Sequence, residues 1–466
     1  MSAESMPEEG KPNLPPRAWT YPLLDALTLR RSRRFAAGMK LNGGPLAYAS
    51  ARPPEPLTLD EEAALAFAAC GVTGSALAEL PYETGAAPEA GGGNIMKQFA
   101  ARTVPSADAL HTVVLFLIND RGAWMLRRPQ DFPRDQIAEL ANSARRGELT
   151  GLFERSRVRV ADRRVDVPRE LPFVPPFNKW SANVSGSTYF MPVNELTALY
   201  INILLSAFSA DFNYFVVDDR NRFRPAGIGR WARSKGGLLH DDPRDGRFMT
   251  VSFLESWLFE LAAVEQGAMI QNLGLMSQAL GVGGFPHFAA HPFGWPQALG
   301  FRMEQPRLSR LLAAGPISRT VLRLLRKDIP VPTAVGKEQD GEVLIKPYCP
   351  PYYASMKEAV LAFLSTKFAP GTGSFRDGAQ ATAWREPERI LAGIPEYRGA
   401  AVDATIAYCE YVYRRYGRFP AACGPFRTVL AYQAHRLDPD FYARFYRPEA
   451  LGRPEAIDAA TRTEGQ

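Results

Sequence analysis

The sequence has few cysteines for its 466 residues. The four, Cys70, Cys349, Cys409 and Cys423, are widely spaced and form no C-x-x-C pair. They are too few for the disulfide framework of a secreted protein, and the first ten residues lack the basic and apolar segments of a secretory signal. We therefore predict a cytoplasmic protein.

A long hydrophobic run is also missing. The most apolar window, residues 196–210, is 15 residues long, whereas a membrane-spanning helix needs roughly 20. This window is expected to form a buried helix, and no membrane partner is expected.

Neither sign of charge dominates the sequence. Lys and Arg total 55 against 49 Asp and Glu, for a net charge of +6. The arginine-rich residues 155–169 and 220–235 are interleaved with acidic residues, and no nucleic-acid recognition motif accompanies them. These stretches indicate solvated surfaces, so nucleic acid is not an expected partner.

Motifs for metal binding and for nucleophilic hydrolysis are absent. His287 and His291 have the i, i+4 spacing of helical metal ligands, but Pro286 and Pro292 flank them and disfavour a helix. The glycine run 91–93 lacks the Lys-Ser/Thr of a phosphate-binding loop, and no G-x-S-x-G motif occurs. We predict no metal site and name no catalytic nucleophile.

Glycine and proline, in contrast, are abundant, with 38 and 39 residues. They predict long irregular connections between elements, and the Pro- and Glu-rich residues 1–20 predict a disordered tail. The aromatic residues near the end of the sequence predict that residues 331–466 form a C-terminal extension that packs on the core. A short amphipathic helix is predicted over 21–37, and another helix is expected to begin at Thr58 or Asp60.

The most regular predicted helix runs from about Ser256 to Leu280 and ends at Gly281. Two glycines, Gly267 and Gly274, interrupt its interior. Each costs about 1 kcal/mol relative to alanine, which indicates that another backbone or a flat ligand approaches the helix closely.

Residues 30–34 combine Arg30, Arg31, Ser32 and Arg34. Guanidinium groups donate paired hydrogen bonds to a phosphate, and the hydroxyl adds a short donor. Considered alone, such a run is also typical of a solvated helix face.

Two further segments accompany this run: residues 102–111 (RTVPSADALH) before a predicted strand, and residues 265–285, which end the long helix in a glycine cluster. In this order the three segments resemble the FMN-dependent nitroreductase superfamily, nearest to the branch that contains azoline-oxidising enzymes. The resemblance covers roughly residues 21–310.

The resemblance implies an α+β fold with an antiparallel sheet flanked by helices. It implies one flavin-binding domain at 21–330, with an insertion at about 120–190, and an intertwined homodimer or internal pseudo-dimer with FMN at the interface. The implied cofactor-binding residues are Arg30, Arg31, Ser32 and Arg34 for the phosphate, Pro105, Ser106 and Ala107 along the flavin ring, Gly283 and Gly284 through their backbone, and Arg302 as a second phosphate contact.

The leading hypothesis is an FMN-dependent oxidoreductase acting on a nitro-aromatic, quinone, enone or azoline-like small molecule. No catalytic residue is implied, because the flavin supplies the chemistry.

Two departures from the family, the direct Arg34-Phe35 junction and Asp108 where the branch favours glycine, motivate an alternative. An inward aspartate would disfavour the anionic reduced flavin, so the chain could be a scaffold that lacks FMN and binds a partner.

Overall fold

The computed structural model describes residues 14–79, 82–87, 89–377 and 382–451. Its helices are α1 (Pro16–Thr20), α2 (Leu23–Leu29), α3 (Leu59–Cys70), α4 (Ile137–Arg145), α5 (Leu149–Ser156), α6 (Thr197–Ala207), α7 (Val251–Leu280), α8 (Gly294–Ala298), α9 (Leu308–Leu311), α10 (Pro316–Leu324), α11 (Met356–Phe368), α12 (Ser374–Asp377), α13 (Pro387–Ala392), α14 (Gly399–Tyr416) and α15 (Pro439–Phe445).

Its strands are β1 (Lys40–Leu41), β2 (Tyr48–Ala49), β3 (Val72–Ser75), β4 (Ala100–Arg102), β5 (Val113–Asn119), β6 (Gly122–Leu126), β7 (Arg157–Ala161), β8 (Thr188–Glu195), β9 (Phe215–Asp218), β10 (Arg224–Pro225), β11 (Phe248–Thr250), β12 (Gly283–Phe288), β13 (Arg302–Glu304), β14 (Thr333–Gln339), β15 (Glu342–Ile345), β16 (Phe426–Arg427) and β17 (Leu430–His435).

A central antiparallel sheet organises the fold. Its strand order is β12-β17-β8-β5-β6-β7, and the short β16 pairs with the end of β8. The predicted combination of helices with an antiparallel sheet is confirmed. The smaller sheets include one parallel pair, β9 with β11.

The central strands are apolar on both faces because both faces are covered. Leu115 and Leu117 of β5 pack in a cluster with α3 and α7, whereas Val114, Phe116 and Ile118 pack with α8 and β14 on the other side. Successive side chains of a strand point to opposite faces, so a strand covered on both sides reads as a continuous apolar run.

A second core surrounds α6, the predicted buried helix. Ten of its eleven residues are buried, which confirms that prediction. Its apolar side chains pack with those of α11, α14, β9 and the first turns of α7. No helix in the described ranges is both long and apolar enough to cross a membrane.

Two regions predicted as additions contribute strands to the central sheet itself. β17, from the C-terminal region 331–466, lies between β12 and β8, and β6 and β7, from the region 120–190, form the opposite edge. These segments therefore build the core sheet, because a strand's partner is set by long-range pairing that the local pattern does not reveal.

The N-terminal region also differs from expectation. Residues 1–13 of the predicted tail lie outside the described residues, and Pro16–Thr20 forms α1. The helix predicted over 21–37 is wrong in extent: α2 ends at Leu29, and Arg30 has extended backbone angles. The arginine run is therefore not presented on a helix.

Candidate functional site

Helix α7 positions the segments that the sequence analysis singled out. It begins after Thr250, whose hydroxyl accepts a hydrogen bond from the Phe253 N–H, five residues before the predicted start. It ends as predicted at Gly281, whose φ of 77° is the left-handed conformation that glycine adopts without strain. β12 follows directly.

The arginine run lies along β12, the edge strand of the central sheet. The Arg33 N–H donates to the carbonyl oxygen of Gly284 at 3.2 Å. The Arg34 guanidinium lies 4.9 Å from the centroid of the Phe285 ring. Residues 30–34 and 283–284, distant in sequence, are thus brought together.

Arg30 contacts α7. A Cβ atom added to Gly274 would lie 3.3 Å from Cδ of Arg30, so the close approach predicted at Gly274 is made by a side chain. At Gly267 an added Cβ would have no described atom within 4 Å, so this chain does not explain that glycine.

The guanidinium groups of the run have different surroundings. The side chains of Arg30 and Arg34 are half-buried and make no hydrogen bond or ion pair with any residue that the structure describes. Arg31 donates to the Ala450 carbonyl at 3.2 Å, and the buried Arg33 donates to the Leu451 carbonyl at 2.5 Å. Arg30 and Arg34 are therefore free to bind an anion, whereas Arg31 and Arg33 also hold the C-terminal segment.

The loop containing Pro105, Ser106 and Ala107 is attached to the middle of α7. Ser106 Oγ accepts from Arg102 at 2.9 Å and lies 3.1 Å from Glu265 Oε1 and 3.1 Å from His111 Nδ1. The His111 Nε2–H donates to a backbone carbonyl, and burial holds the pKa of His111 well below its usual range. The serine hydroxyl is therefore fixed inside the chain by neutral and ionic partners.

Glu265 is the centre of a larger buried polar cluster. Its carboxylate pairs with Arg102 and accepts from the Thr112 hydroxyl, and Gln266 beside it bonds Asn194. No sequence motif predicted this cluster, although the adjacent Glu265 and Gln266 in an apolar helix were a usable signal. We define the buried polar cluster as Arg102, Ser106, His111, Thr112, Asn194, Glu265 and Gln266.

The predicted site residues do not all meet in one chain. Glu265 and Gly274 are nine residues apart on α7, so the Ser106 loop and Arg30 are separated by roughly 14 Å along the helix axis. Arg302 lies on β13 in another sheet and forms an ion pair with Glu338 at 3.0 Å. Within one chain, Arg302 therefore lies in a different sheet from the other predicted residues and is bonded to Glu338.

Asp108 has a backbone conformation that L side chains rarely adopt. Its φ of 54° is left-handed, the conformation for which glycine is best suited. The carboxylate accepts a hydrogen bond from Asn202 of α6 at 3.2 Å, and burial raises its pKa to about 6. The side chain is therefore directed into α6.

Two buried histidines, His287 and His435, stand on the adjacent strands β12 and β17 beside Phe285. Burial lowers the pKa of each to about 4. Neither Nε2 atom has a hydrogen-bond partner within the described part of the chain. Each Nε2 is therefore a buried polar atom whose hydrogen-bonding capacity the described chain leaves unused.

Comparison with known proteins gives no assignment: no family model matches the chain, and no curated protein matches it. Interpretation of the site therefore depends on its own geometry.

Proposed function

We propose that this protein is an FMN-dependent oxidoreductase of nitroreductase-like fold that transfers hydride equivalents to or from a small organic molecule. One observation carries the proposal: two of the motif segments, far apart in sequence, contact the third, which comprises the second half of α7 and the start of β12. Arg30 packs at Gly274, Arg33 bonds Gly284, and Ser106 contacts Glu265.

The available donors fit an anionic flavin cofactor. The guanidinium groups of Arg30 and Arg34 lack partners in the described residues, and the Ser32 side chain is exposed beside them, so these residues would hold the phosphate. The Ser106 hydroxyl is engaged internally. The backbone N–H groups of Ser106 and Ala107, unpaired among the described residues, would instead contact the ring.

FMN, when bound, supplies the hydride chemistry. The residues of the chain would then bind the cofactor and hold it in a fixed orientation. The buried polar cluster does this for the Ser106 loop, because it ties the loop to α7 through Arg102 and Glu265, whose side chains are almost fully buried. A rigid anchor of this kind keeps a ring-contacting loop in one position.

A second copy of the chain would complete the site. α7 exposes an apolar stripe, with Phe253 60%, Trp257 43% and Val264 65% exposed, and Gly267 open beside it. Large apolar side chains on one helix face are typical of an interface. In a homodimer packed through this stripe, one chain would supply the arginine run and the other the Ser106 loop.

The alternative, a scaffold without FMN, depends mainly on Asp108. Because that carboxylate is bonded to Asn202, it is not directed toward a neighbouring ring. This contact supports the FMN proposal over the scaffold.

Replacing both Arg30 and Arg34 by glutamine is expected to weaken FMN binding about tenfold or more for each arginine, because each loses a charge-assisted hydrogen bond to phosphate. Binding is measured from the quenching of flavin fluorescence on titration with purified protein. Arg302→Gln, which alters an arginine that lies on another sheet and is already paired with Glu338, is the matched control and should bind like the wild type.

Two results would contradict the FMN proposal. A colourless protein that binds no added FMN would exclude the cofactor, and equal losses in the Arg302 control and the double variant would exclude the assigned site.

The Val264→Asp substitution is expected to convert a dimeric wild type into a monomer and to lower FMN affinity, because it buries a charge in the proposed interface. Light scattering measures the molar mass of each variant and so distinguishes a monomer from a dimer. Phe223→Asp, at a residue 64% exposed outside α7, is the control. A wild-type monomer that binds FMN, or a Val264→Asp variant that remains dimeric, would disprove this interface.

A further inference from the structure

A cavity of about 440 Å³ lies beside residues 97–100 and Leu110. Its size is within the range of pockets that hold small organic molecules. The cavity is walled by residues 97–100, residues 128–137, the start of α6 and parts of α11 and α12. None of the residues assigned to FMN lines it.

The cavity wall carries more positive than negative charge. Four cations, Lys97, Arg128, Arg134 and Lys346, face two carboxylates, Asp131 and Glu195. Both carboxylates already have partners: Asp131 accepts two hydrogen bonds from Arg128, at 3.0 and 3.1 Å, and Glu195 accepts from the backbone N–H of Thr197 at 2.7 Å.

Lys97 is the buried cation of this wall that lacks a hydrogen-bond or ion-pair partner in the described chain. It is only 8% exposed, and its ammonium makes no hydrogen bond or ion pair with a described residue. A buried ammonium without a counterion is costly. Burial, together with Arg128 and Arg134, accordingly lowers the pKa of Lys97 to about 8.

Gln130 adds an unused acceptor to the same cavity. Its amide nitrogen donates to the His111 carbonyl at 2.8 Å, which orients the side chain. Its Oε1 atom is buried and receives no hydrogen bond from any residue in the described ranges. The cavity wall thus combines a buried cation and a buried acceptor that have no partner among the described residues.

We propose that this cavity binds a small organic molecule through an oxyanion, a phosphate or a carboxylate, that contacts the Lys97 ammonium. A donor group of the same molecule contacts Oε1 of Gln130. The bound anion compensates the buried charge, which is why an unpaired lysine is tolerated at this position.

The test uses the full-length protein and three probes, inorganic phosphate, pyrophosphate and succinate, titrated by calorimetry. Preference for the first two identifies a phosphate site, and preference for succinate identifies a carboxylate site. Lys97→Met should weaken binding at least about tenfold, whereas Lys357→Met, at an exposed lysine of α11, should bind like the wild type.

Affinity for the probe should also fall as the pH rises through about 8, because deprotonation removes the charge of Lys97. The charged groups around it are Arg128, Arg134, Lys346, Asp131 and Glu195. Trace acetylation followed by mass spectrometry gives a second readout, since a bound probe should protect Lys97 but not Lys357.

The proposal is overturned if no probe binds, or if Lys97→Met binds as tightly as the wild type. It is also overturned if the probes leave the acetylation of Lys97 unchanged. These outcomes do not depend on FMN, so this proposal and the proposed function can fail separately.

Discussion

The Glu265→Ala variant is expected to lose about 3–5 kcal/mol of unfolding free energy, because removing one partner of a buried ion pair leaves the other uncompensated. The side chain of Arg102 is 1% exposed and that of Glu265 is 3% exposed. The Thr112 hydroxyl would lose its acceptor as well. Denaturant-induced unfolding, followed by circular dichroism, measures the loss.

Two comparisons sharpen this prediction. Glu265→Gln should cost less than Glu265→Ala, because the amide oxygen still accepts hydrogen bonds. Glu260→Ala changes an exposed glutamate of the same helix and should be nearly neutral. If Glu265→Ala destabilised the protein no more than Glu260→Ala, the buried polar cluster would not be the anchor described above.

Acidification should destabilise the protein through His287 and His435. Between pH 6.5 and about 4 the unfolded chain binds a proton at each histidine and the folded chain does not, since burial lowers both pKa values to about 4. The unfolded state therefore holds more protons, and the unfolding free energy falls with decreasing pH by about 3 kcal/mol per histidine.

The His435→Gln variant isolates one of these contributions. Glu255 opposes it in an overlapping range, because burial raises its pKa to about 7 and it contributes more stability as the pH falls. We therefore compare the variant with the wild type at about pH 7 and about pH 5, where the difference between them should shift in favour of the variant on acidification. Parallel stability curves would show that His435 is not held neutral in the folded protein.

Local signals predicted several elements well. Thr58 caps α3 and forms a capping box with Glu61, and Gly281 ends α7. Capping depends on hydrogen bonds between neighbouring residues, so the sequence contains the whole signal. The β5 strand, predicted to follow residues 102–111, spans Val113–Asn119. Its continuous apolar run is a local signal of a strand buried on both faces.

The candidate site was only partly predictable. The motif segments were recognisable, but the arginine run was placed on a helix that ends before it, and Glu265 was overlooked. Whether an arginine is free or bonded depends on residues far along the chain, as with Arg33 and Leu451. Sequence spacing carries no information about such partners.

The sequence by itself determined the start of α3, the end of α7, the buried strand β5 and the three segments that resemble a flavin site. Only the tertiary structure decided that β17 pairs between β12 and β8, that Asp108 turns toward Asn202, and that Lys97 stands unpaired in a cavity. Caps and periodic burial depend on residues a few positions apart. Strand pairing and cavities depend on contacts between distant segments, and these form only when the chain has folded.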